Sequence, residues 1–245
     1  MNNQEIKNLK KGKFIAVEGL DGAGKSTQIS LLIDHFATEG IETKFIHFPR
    51  TNEGVFGDLI AKFLRGEFGA VKNVHPQLVA LLFAQDRKEF SGTIRNWLEN
   101  GYFVLVDRYV LSNIAFQCAK IEHDLEKTEL RAWINKFEYE YNEIPKPDLS
   151  IYLDVPFEFT NHSLAEKRDG QERVYLKGKD DIHEKDISLQ LAVKSEYEYL
   201  SETDKSIKKI ICYGADKKIK SVNEIHQLFR DAINEIIENT GNKIK

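Results

Sequence analysis

KFIAVEGLDGAGKSTQ, residues 13–28, combines an apolar run, a glycine-rich turn and a basic residue in a fixed order. Phe14–Val17 is apolar and partly β-branched, the pattern of a short buried strand. Gly19–Ser26 fits G-x-x-x-x-G-K-[ST] at every position. The apolar residues that follow recur at helical spacing: Ile29, Leu32, Ile33 and Phe36. The stretch therefore predicts a strand, a phosphate-binding loop (P-loop) and an amphipathic helix.

This spacing of residue types suits the binding of phosphate. A strand that runs into a glycine-rich turn directs successive backbone N–H groups into one concavity at the positive end of a helix. Glycine has no Cβ and tolerates positive φ, so the backbone can approach the phosphates closely. In this motif Lys25 would reach the β- and γ-phosphates, and the Ser26 hydroxyl would ligate Mg²⁺. A glycine-rich turn can bind nothing, but one framed by a strand and an amphipathic helix indicates a nucleotide-phosphate site.

Length and composition limit the classes of protein to consider. The chain has 245 residues, is 41% hydrophobic and 30% charged, and carries a net charge of −4. No stretch approaches the roughly 20 apolar residues of a membrane span, and the first residues lack the apolar core of a secretory signal. The acidic balance argues against nucleic acid as the main ligand. Cys118 and Cys212 are predicted to be free thiols in a reducing, cytoplasmic setting.

Five apolar strand candidates alternate with helical patterns, which predicts a parallel sheet covered by helices on both faces. The candidates are Phe14–Val17, Thr43–Phe48, Tyr102–Val106, Leu149–Val155 and Ile207–Tyr213. No repeat or long linker divides the chain, so we expect one domain over residues 1–245. Residues 166–185, EKRDGQERVYLKGKDDIHEK, are dense in charge with little to bury. Beside an ATP site, this surface segment would be either a lid or a plain solvated loop.

Charged residues follow two of the predicted strands, at the sheet edge where ligands bind in open α/β folds. Asp107 ends the third strand, where a carboxylate beside a P-loop usually holds Mg²⁺ through water. Arg108 adds a bidentate phosphate donor. An Asp–Arg ion pair that merely caps the strand is the weaker alternative here. Arg50 follows the second strand, although a lone arginine is more often a solvated surface charge.

Phe83 and Arg87 lie four residues apart on a helix predicted to begin at Pro76, so they share one helix face. They are either a core residue and a solvated charge, or a ring that stacks on a base and a guanidinium that reads it.

The chain resembles the thymidylate kinases from Lys13 to about Leu200. The residues that carry the resemblance are Glu18–Thr27, Phe48–Arg50, Phe83–Arg87, Asp107–Tyr109, Ser112, Asn113, Ala115, Phe116, Gln117 and Pro147–Leu149. Each piece is modest alone, but their order and spacing together are specific. The resemblance implies a three-layer P-loop sandwich with a five-stranded parallel sheet and a lid, usually as a homodimer. It implies transfer of the γ-phosphoryl group of ATP to dTMP, with Mg²⁺ as cofactor.

The resemblance also implies roles for individual residues. In the acceptor site, one ring would stack on thymine, an arginine and two amides would read the base edge, a second ring would limit the sugar, two arginines would hold the monophosphate, and an aspartate would lie between the sugar and the reacting phosphates. The residues implied for these roles are Phe83 for stacking, Arg87, Asn113 and Gln117 for the base edge, and Phe116 for the sugar. Arg50 and Arg108 are implied for the phosphate, Asp21 for the place between sugar and phosphates, and Ser112 completes the implied dTMP-binding set. The implied ATP-binding residues are Gly19, Leu20, Asp21, Gly22, Ala23, Gly24, Lys25, Ser26 and Thr27, and the implied metal ligands are Ser26 and Asp107. Lys25, Asp21 and Arg108 are the expected catalytic residues.

The chain departs from the family in the source of a catalytic cation. One branch carries a P-loop arginine where this chain has Gly22, and the other branch supplies it from the lid, often in Asp-Arg-Ile-Glu. Here that stretch reads Asp180-Asp181-Ile182-His183. The remaining candidates are Arg168, Arg173, Lys177 and Lys179. We predict Arg173 as a further catalytic residue, because a guanidinium suits phosphate better than an ammonium and the apolar residues beside it could anchor a closed lid.

Two other functions remain open at this point. A kinase for another nucleoside monophosphate or a deoxynucleoside would differ in its base-facing residues. A P-loop switch or a nucleotide-dependent structural protein would lack an acceptor site, and no second guanine-reading motif or effector domain is present to favour it. Phosphoryl transfer depends on positioning and charge neutralisation, so none of the seven histidines has to be catalytic.

Overall fold

The computed structural model of the chain describes residues 12–160 and 171–239, and their side chains except those of residues 171–173 and 236–239. Its sheet consists of β1 (Lys13–Glu18), β2 (Thr43–His47), β3 (Phe103–Asp107), β4 (Leu149–Asp154) and β5 (Ile207–Ile211). The strand order is β2-β3-β1-β4-β5, and every neighbouring pair is parallel. The predicted five-stranded parallel sheet is therefore confirmed, with strand ends close to the predicted ones.

Helices connect these strands and cover both faces of the sheet. They are α1 (Lys25–Thr38), α2 (Gly54–Leu64), α3 (Pro76–Glu99), α4 (Val110–Cys118), α5 (Asp124–Asn135), α6 (Ile182–Lys185), α7 (Ile187–Thr203) and α8 (Val222–Asn239). Helices α1 and α8 pack on one face, and α3, α4, α5 and α7 pack on the other. Within the described residues, no helix is both long and apolar enough to cross a membrane.

Alternate residues of the central strands face two separate cores. In β1, Phe14 and Ala16 pack on the side of α3, α4, α5 and α7, whereas Ile15 and Val17 pack on the side of α1 and α8. Because both faces are covered, the strand is apolar at every position instead of alternating. Successive side chains of a strand point to opposite faces, which explains why continuous apolar runs predicted this sheet.

The register of the strands brings their carboxyl ends to one edge. Val17 of β1 lies beside Asp107 of β3, and His47 of β2 lies on the other side of the same aspartate. The P-loop, the loop that contains Arg50 and the turn at Arg108 therefore leave the sheet side by side.

The chain after α5 departs from regular α-helical geometry. The α-helix ends at Asn135 and a π-helical turn, Lys136–Tyr141, continues it. Trp133, Phe137 and Tyr141 stack in a row with ring centroids 5.0 and 5.2 Å apart. Tyr141 is 75% exposed, so this row of rings runs from the helix to the surface.

The predicted surface segment, residues 166–185, also differs in its second half. Residues 166–170 lie outside the described residues, and Gln171–Leu176 forms a 3₁₀ turn. Leu176, Asp181 and His183 are each at most 5% exposed, so the expectation of little to bury is wrong there. Asp181 caps α6 by accepting from the backbone N–H of His183 at 2.7 Å.

Candidate active site

A cavity of about 1180 Å³ opens at the carboxyl ends of β1, β2 and β3. It collects most of the residues that the sequence singled out. Those that line it are Asp21, Gly22, Gly24, Lys25, Ser26, Arg50, Phe83, Arg87, Asp107, Arg108, Ser112, Asn113, Phe116 and Gln117. The other P-loop residues, Gly19, Leu20, Ala23 and Thr27, complete the loop without lining the cavity. The fold therefore joins one phosphate loop, three strand ends and two helices around one space.

The P-loop is held in a shape that favours glycine at two positions. Gly24 precedes α1 with φ 85°, and Gly19 has φ 146°. A Cβ on Gly19 would lie 3.1 Å from the carbonyl oxygen of Leu153. The Lys25 ammonium donates to the carbonyl oxygens of Leu20 at 2.9 Å and Gly19 at 3.3 Å. Lys25 therefore lies across the loop, with its charge at the carboxyl end of β1.

Asp107 is ionised and has an unused oxygen. Burial alone would raise its pKa, but Lys25, His47 and Arg108 together lower the pKa of Asp107 to about 2. Its Oδ2 lies 3.3 Å from Nδ1 of His47, and its Oδ1 lies 3.9 Å from the Lys25 ammonium. Among the described residues, Oδ1 has no hydrogen-bond partner although it is buried. This oxygen and the exposed Ser26 hydroxyl on the same cavity are the oxygen ligands that Mg²⁺ prefers.

Arg108 is positioned rigidly between the two ends of the site. Its backbone is left-handed with φ 67°, a conformation that costs about 1–3 kcal/mol and concentrates at functional sites. Its Nη2 donates to Asp21 Oδ1 at 2.7 Å, and its Nη1 donates to Ser112 Oγ at 3.1 Å. The guanidinium lies 5.2 Å from the ring centroid of Phe116. Because two hydrogen bonds and a ring fix it, Arg108 presents its charge in one direction.

Glu18 supports Arg108, a role that the sequence analysis did not assign to it. Its Oε2 accepts from the Ser112 hydroxyl at 2.5 Å and from the Tyr197 hydroxyl at 3.1 Å, and its Oε1 accepts from the backbone N–H of Tyr109. Burial raises the pKa of Glu18. The Ser112 hydroxyl that accepts from Arg108 is thus itself oriented by Glu18. A charged residue at the end of a buried apolar strand was the signal available in the sequence.

At the other end of the cavity, Arg87 and Asn113 converge on a buried carboxylate. Glu138 is 0% exposed and Arg87 is 2% exposed. Arg87 donates from Nε to Oε2 of Glu138 at 2.9 Å and from Nη2 to Oε1. Asn113 donates from Nδ2 to the same Oε1 and to the carbonyl oxygen of Ala80, each at 3.0 Å. In the described part of the chain, Oδ1 of Asn113 is buried without a hydrogen-bond partner.

Arg50 is not the solvated charge that a lone arginine suggests. Its side chain is 9% exposed, and its Nε donates to Oδ1 of Asp86 at 3.0 Å. Its other nitrogens reach Glu53 and Glu89, and its guanidinium lies 5.0 Å from the ring centroid of Phe90. These contacts fix the Arg50 side chain in its place on the wall of the cavity.

His183 is a second residue that the sequence analysis did not assign to the site. Its ring packs flat on Phe116, with centroids 5.2 Å apart and 25° between the planes, and meets Phe63 edge to face. Burial lowers the pKa of His183 well below its ordinary value, so the imidazole is neutral. On the same wall, Oε1 of Gln117 accepts from the Lys120 ammonium at 2.7 Å. A polar stretch of sequence gave no sign that His183 would be buried.

The predicted lid cation cannot be placed in this site. Arg168 lies outside the described residues. The backbone of Arg173 belongs to the 3₁₀ turn Gln171–Leu176, and its side chain lies outside the described part. The assignment of Arg173 stays a prediction from the sequence.

Comparison with known proteins identifies the family of this chain. A sequence profile of the family described as Thymidylate kinase matches residues 17–225. The chain belongs to the thymidylate kinase family. A thymidylate kinase of Plasmodium falciparum (isolate 3D7) is 33% identical over 181 residues, which cover 71% of this chain and 80% of that protein. One of Mycobacterium tuberculosis (strain CDC 1551 / Oshkosh) is 32% identical over 191 residues, which cover 77% and 85%.

A solved structure supports the same fold. The thymidylate kinase of Candida albicans, described as having broad substrate specificity, superposes with a TM-score of 0.67 at 29% identity. The match covers 95% of this chain and 93% of that one. The fold, the P-loop and the family are therefore established together, and family membership makes the chain an ATP-dependent nucleoside monophosphate kinase.

Proposed function

We propose that this protein transfers the γ-phosphoryl group of ATP to dTMP, giving dTDP and ADP. Family membership supports this reaction, and one observation of the site carries the choice of base. The Asn113 amide has its nitrogen engaged by two acceptors, Ala80 and Glu138, so its buried oxygen is the amide atom left without a partner among the described residues. An amide in this orientation accepts a hydrogen bond and does not donate one.

Arg87 and Asn113 together complement the imide edge of thymine. The Arg87 bonds to Glu138 use Nε and Nη2, which leaves Nη1 as a donor on the cavity. Thymine offers a carbonyl acceptor at O4 and an N–H donor at N3, whereas cytosine offers an amino donor at C4 and an acceptor at N3. Nη1 of Arg87 and Oδ1 of Asn113 match thymine and oppose cytosine at both positions. Uracil presents the same edge and is distinguished only by its missing methyl group, worth about 1–3 kcal/mol.

At the phosphate end, the protein positions groups and neutralises charge. Phosphoryl transfer needs little covalent chemistry from the protein. Lys25 supplies a charge at the β- and γ-phosphates of ATP. Arg108, fixed by Asp21 and Ser112, supplies one where the acceptor phosphate meets the donor, and Arg50 extends from the strand edge beside it. Because these groups are fixed before the substrates bind, they need no reorganisation during transfer.

Ser26 and Asp107 would hold Mg²⁺ in this scheme. The unused Oδ1 of Asp107 and the hydroxyl of Ser26 fit an oxygen-seeking cation. Mg²⁺, when bound with ATP, offsets the charge of the phosphate oxygens. Arg173 is the proposed lid cation that completes this neutralisation.

A panel of acceptors tests the proposed reaction. ADP release is measured by a coupled assay with ATP, Mg²⁺ and, in turn, dTMP, dUMP, dCMP, AMP and GMP. The highest kcat/KM is expected for dTMP, with dUMP next because it shares the imide edge. A best acceptor among dCMP, AMP and GMP would overturn the choice of dTMP. ADP release that does not depend on any acceptor would instead favour a P-loop switch.

We also propose a homodimer in the cytoplasm, on the strength of the family resemblance. Both cysteines, Cys118 and Cys212, are buried and free, which suits a reducing compartment. Light scattering coupled to gel filtration is expected to give twice the mass of the chain. A monomeric mass at micromolar concentration would contradict the proposed dimer.

A further inference from the structure

We propose that Glu138 is a positioning residue that sets the base preference of the acceptor site. It holds Arg87 and Asn113 in the orientations that read an imide, and it thereby excludes pyrimidines with a 4-amino group. This inference rests on the proposed function and adds to it a residue outside every motif of the sequence.

Three donors meet at the Glu138 carboxylate, from two different helices. Arg87 of α3 contributes two of them, and Asn113 of α4 contributes the third at 3.0 Å. An ionised carboxylate has acceptors only. Each neighbour must therefore turn an N–H group toward it. Glu138 is 0% exposed, so water does not compete for these bonds.

For Asn113 this requirement decides which end of the amide faces the ligand. The amide has one donor end and one acceptor end on opposite sides. Its nitrogen is held by Glu138 and by the carbonyl oxygen of Ala80, so its oxygen is the end that remains unpartnered in the described part of the chain and can accept from a base N–H group. A neighbour of the opposite polarity at position 138 would favour the reversed amide.

For Arg87 the same carboxylate fixes the plane of the guanidinium. Two parallel N–H···O bonds allow one relative orientation of the two groups. Nε and Nη2 are used in these bonds, so Nη1 is the donor that remains for a base carbonyl. An ion pair with a purely stabilising role would need only Arg87 and Glu138. Here Oε1 of Glu138 accepts hydrogen bonds from both Arg87 and Asn113.

The local backbone explains how a charged residue comes to this place. Glu138 follows the buried Leu130 and Ile134 at intervals of four residues, and it sits in the π-helical turn Lys136–Tyr141. Such turns occur as single insertions in helices and are frequent at functional sites. The turn therefore places a carboxylate at the end of the apolar face of α5, in contact with Arg87 and Asn113.

The test is the substrate preference of Glu138→Gln, with Glu140→Gln as its matched control. The glutamine introduced by the first substitution would keep the shape of the side chain and offer one acceptor and one donor end. Both carboxylate oxygens accept from Arg87, and Oε1 also accepts from Asn113, so an amide nitrogen at either position would face an N–H group of Arg87 and break the bidentate pair that fixes its guanidinium. Glu140 lies in the same turn and is exposed. The kcat/KM values for dTMP and for dCMP are measured with the parent and the two variants, and their ratio is compared.

The ratio of dTMP to dCMP is expected to fall at least tenfold in Glu138→Gln and to stay unchanged in Glu140→Gln. A ratio does not depend on the fraction of enzyme that is folded, so partial unfolding of the variant cannot imitate the result. A ratio within threefold of the parent would overturn the positioning role, even if turnover were lower. A parent enzyme that does not prefer dTMP would contradict the proposed function itself, which separates the two failures.

Discussion

Substitution of Arg87 by methionine is expected to damage stability and base recognition separately. Arg87 is 2% exposed and gives the 0% exposed Glu138 two charge-assisted hydrogen bonds. Methionine removes both and leaves the carboxylate with Asn113 as its donor. Removal of one member of a buried ion pair typically costs about 3–5 kcal/mol, because the other charge is left buried and unpaired. We therefore expect the free energy of unfolding of Arg87→Met to fall by about that amount.

Adding Glu138→Gln to the Arg87→Met variant measures how much of the loss in stability comes from the unpaired Glu138 charge. The double variant contains no buried carboxylate at this position, so it is expected to recover about 1–3 kcal/mol of the loss. Urea unfolding followed by tryptophan fluorescence gives the four free energies of the double-mutant cycle. Neither Arg87→Met variant can donate to the base carbonyl, so KM for dTMP should stay raised far more than KM for ATP. A loss below about 1 kcal/mol for Arg87→Met would refute the buried pair.

Three further predictions concern the phosphate site, the lid and the acidity of one lysine. Lys25→Ala should keep the parent's circular dichroism spectrum while its kcat falls by about 10²–10³. A near-normal rate of ADP release would contradict the proposed mechanism. Arg173→Ala should lower kcat by about 10³ with little change in ATP affinity. Steady-state kinetics of Arg173→Ala and Arg168→Ala, measured side by side, test this prediction. If both variants keep nearly normal kcat, the catalytic cation is another residue. Burial lowers the pKa of Lys120 from 10.5 to about 7, so the folded protein binds fewer protons than the unfolded one between these values. Its stability relative to Lys120→Met should therefore rise from pH 7 to 10, by at most about 1.4 kcal/mol per pH unit, and a difference independent of pH would contradict the buried ammonium.

The sheet was predictable because its cause is local in sequence. A strand covered on both faces is apolar at each position, and this pattern is visible in Phe14–Val17 without knowledge of any neighbour. The site followed from the same pattern. Parallel strands bring their carboxyl ends to one edge, so Asp107 and Arg108 could be placed beside the P-loop from their positions after the third strand.

What the sequence did not reveal depends on partners far along the chain. Glu138 lies 51 positions from Arg87, and no local sequence pattern predicts that the two residues pair. Its spacing from Ile134 was the available signal, since it places a charge on an apolar helix face. His183 lay in a stretch read as solvated, because its burial depends on Phe63 and Phe116 from other helices. Arg50 was ambiguous for the same reason, since its anchor Asp86 belongs to α3.

The most direct test of the account is a competition for labelled phosphate. The protein is incubated with Mg²⁺, ATP labelled at its γ-phosphate, and equal concentrations of dTMP, dCMP, AMP and GMP, and the products are separated after a few turnovers. Nearly all transferred label is expected in dTDP, because Arg87 and Asn113 match an imide and the P-loop presents the donor phosphate. Label found mainly in dCDP, ADP or GDP, or only in inorganic phosphate, would contradict the account.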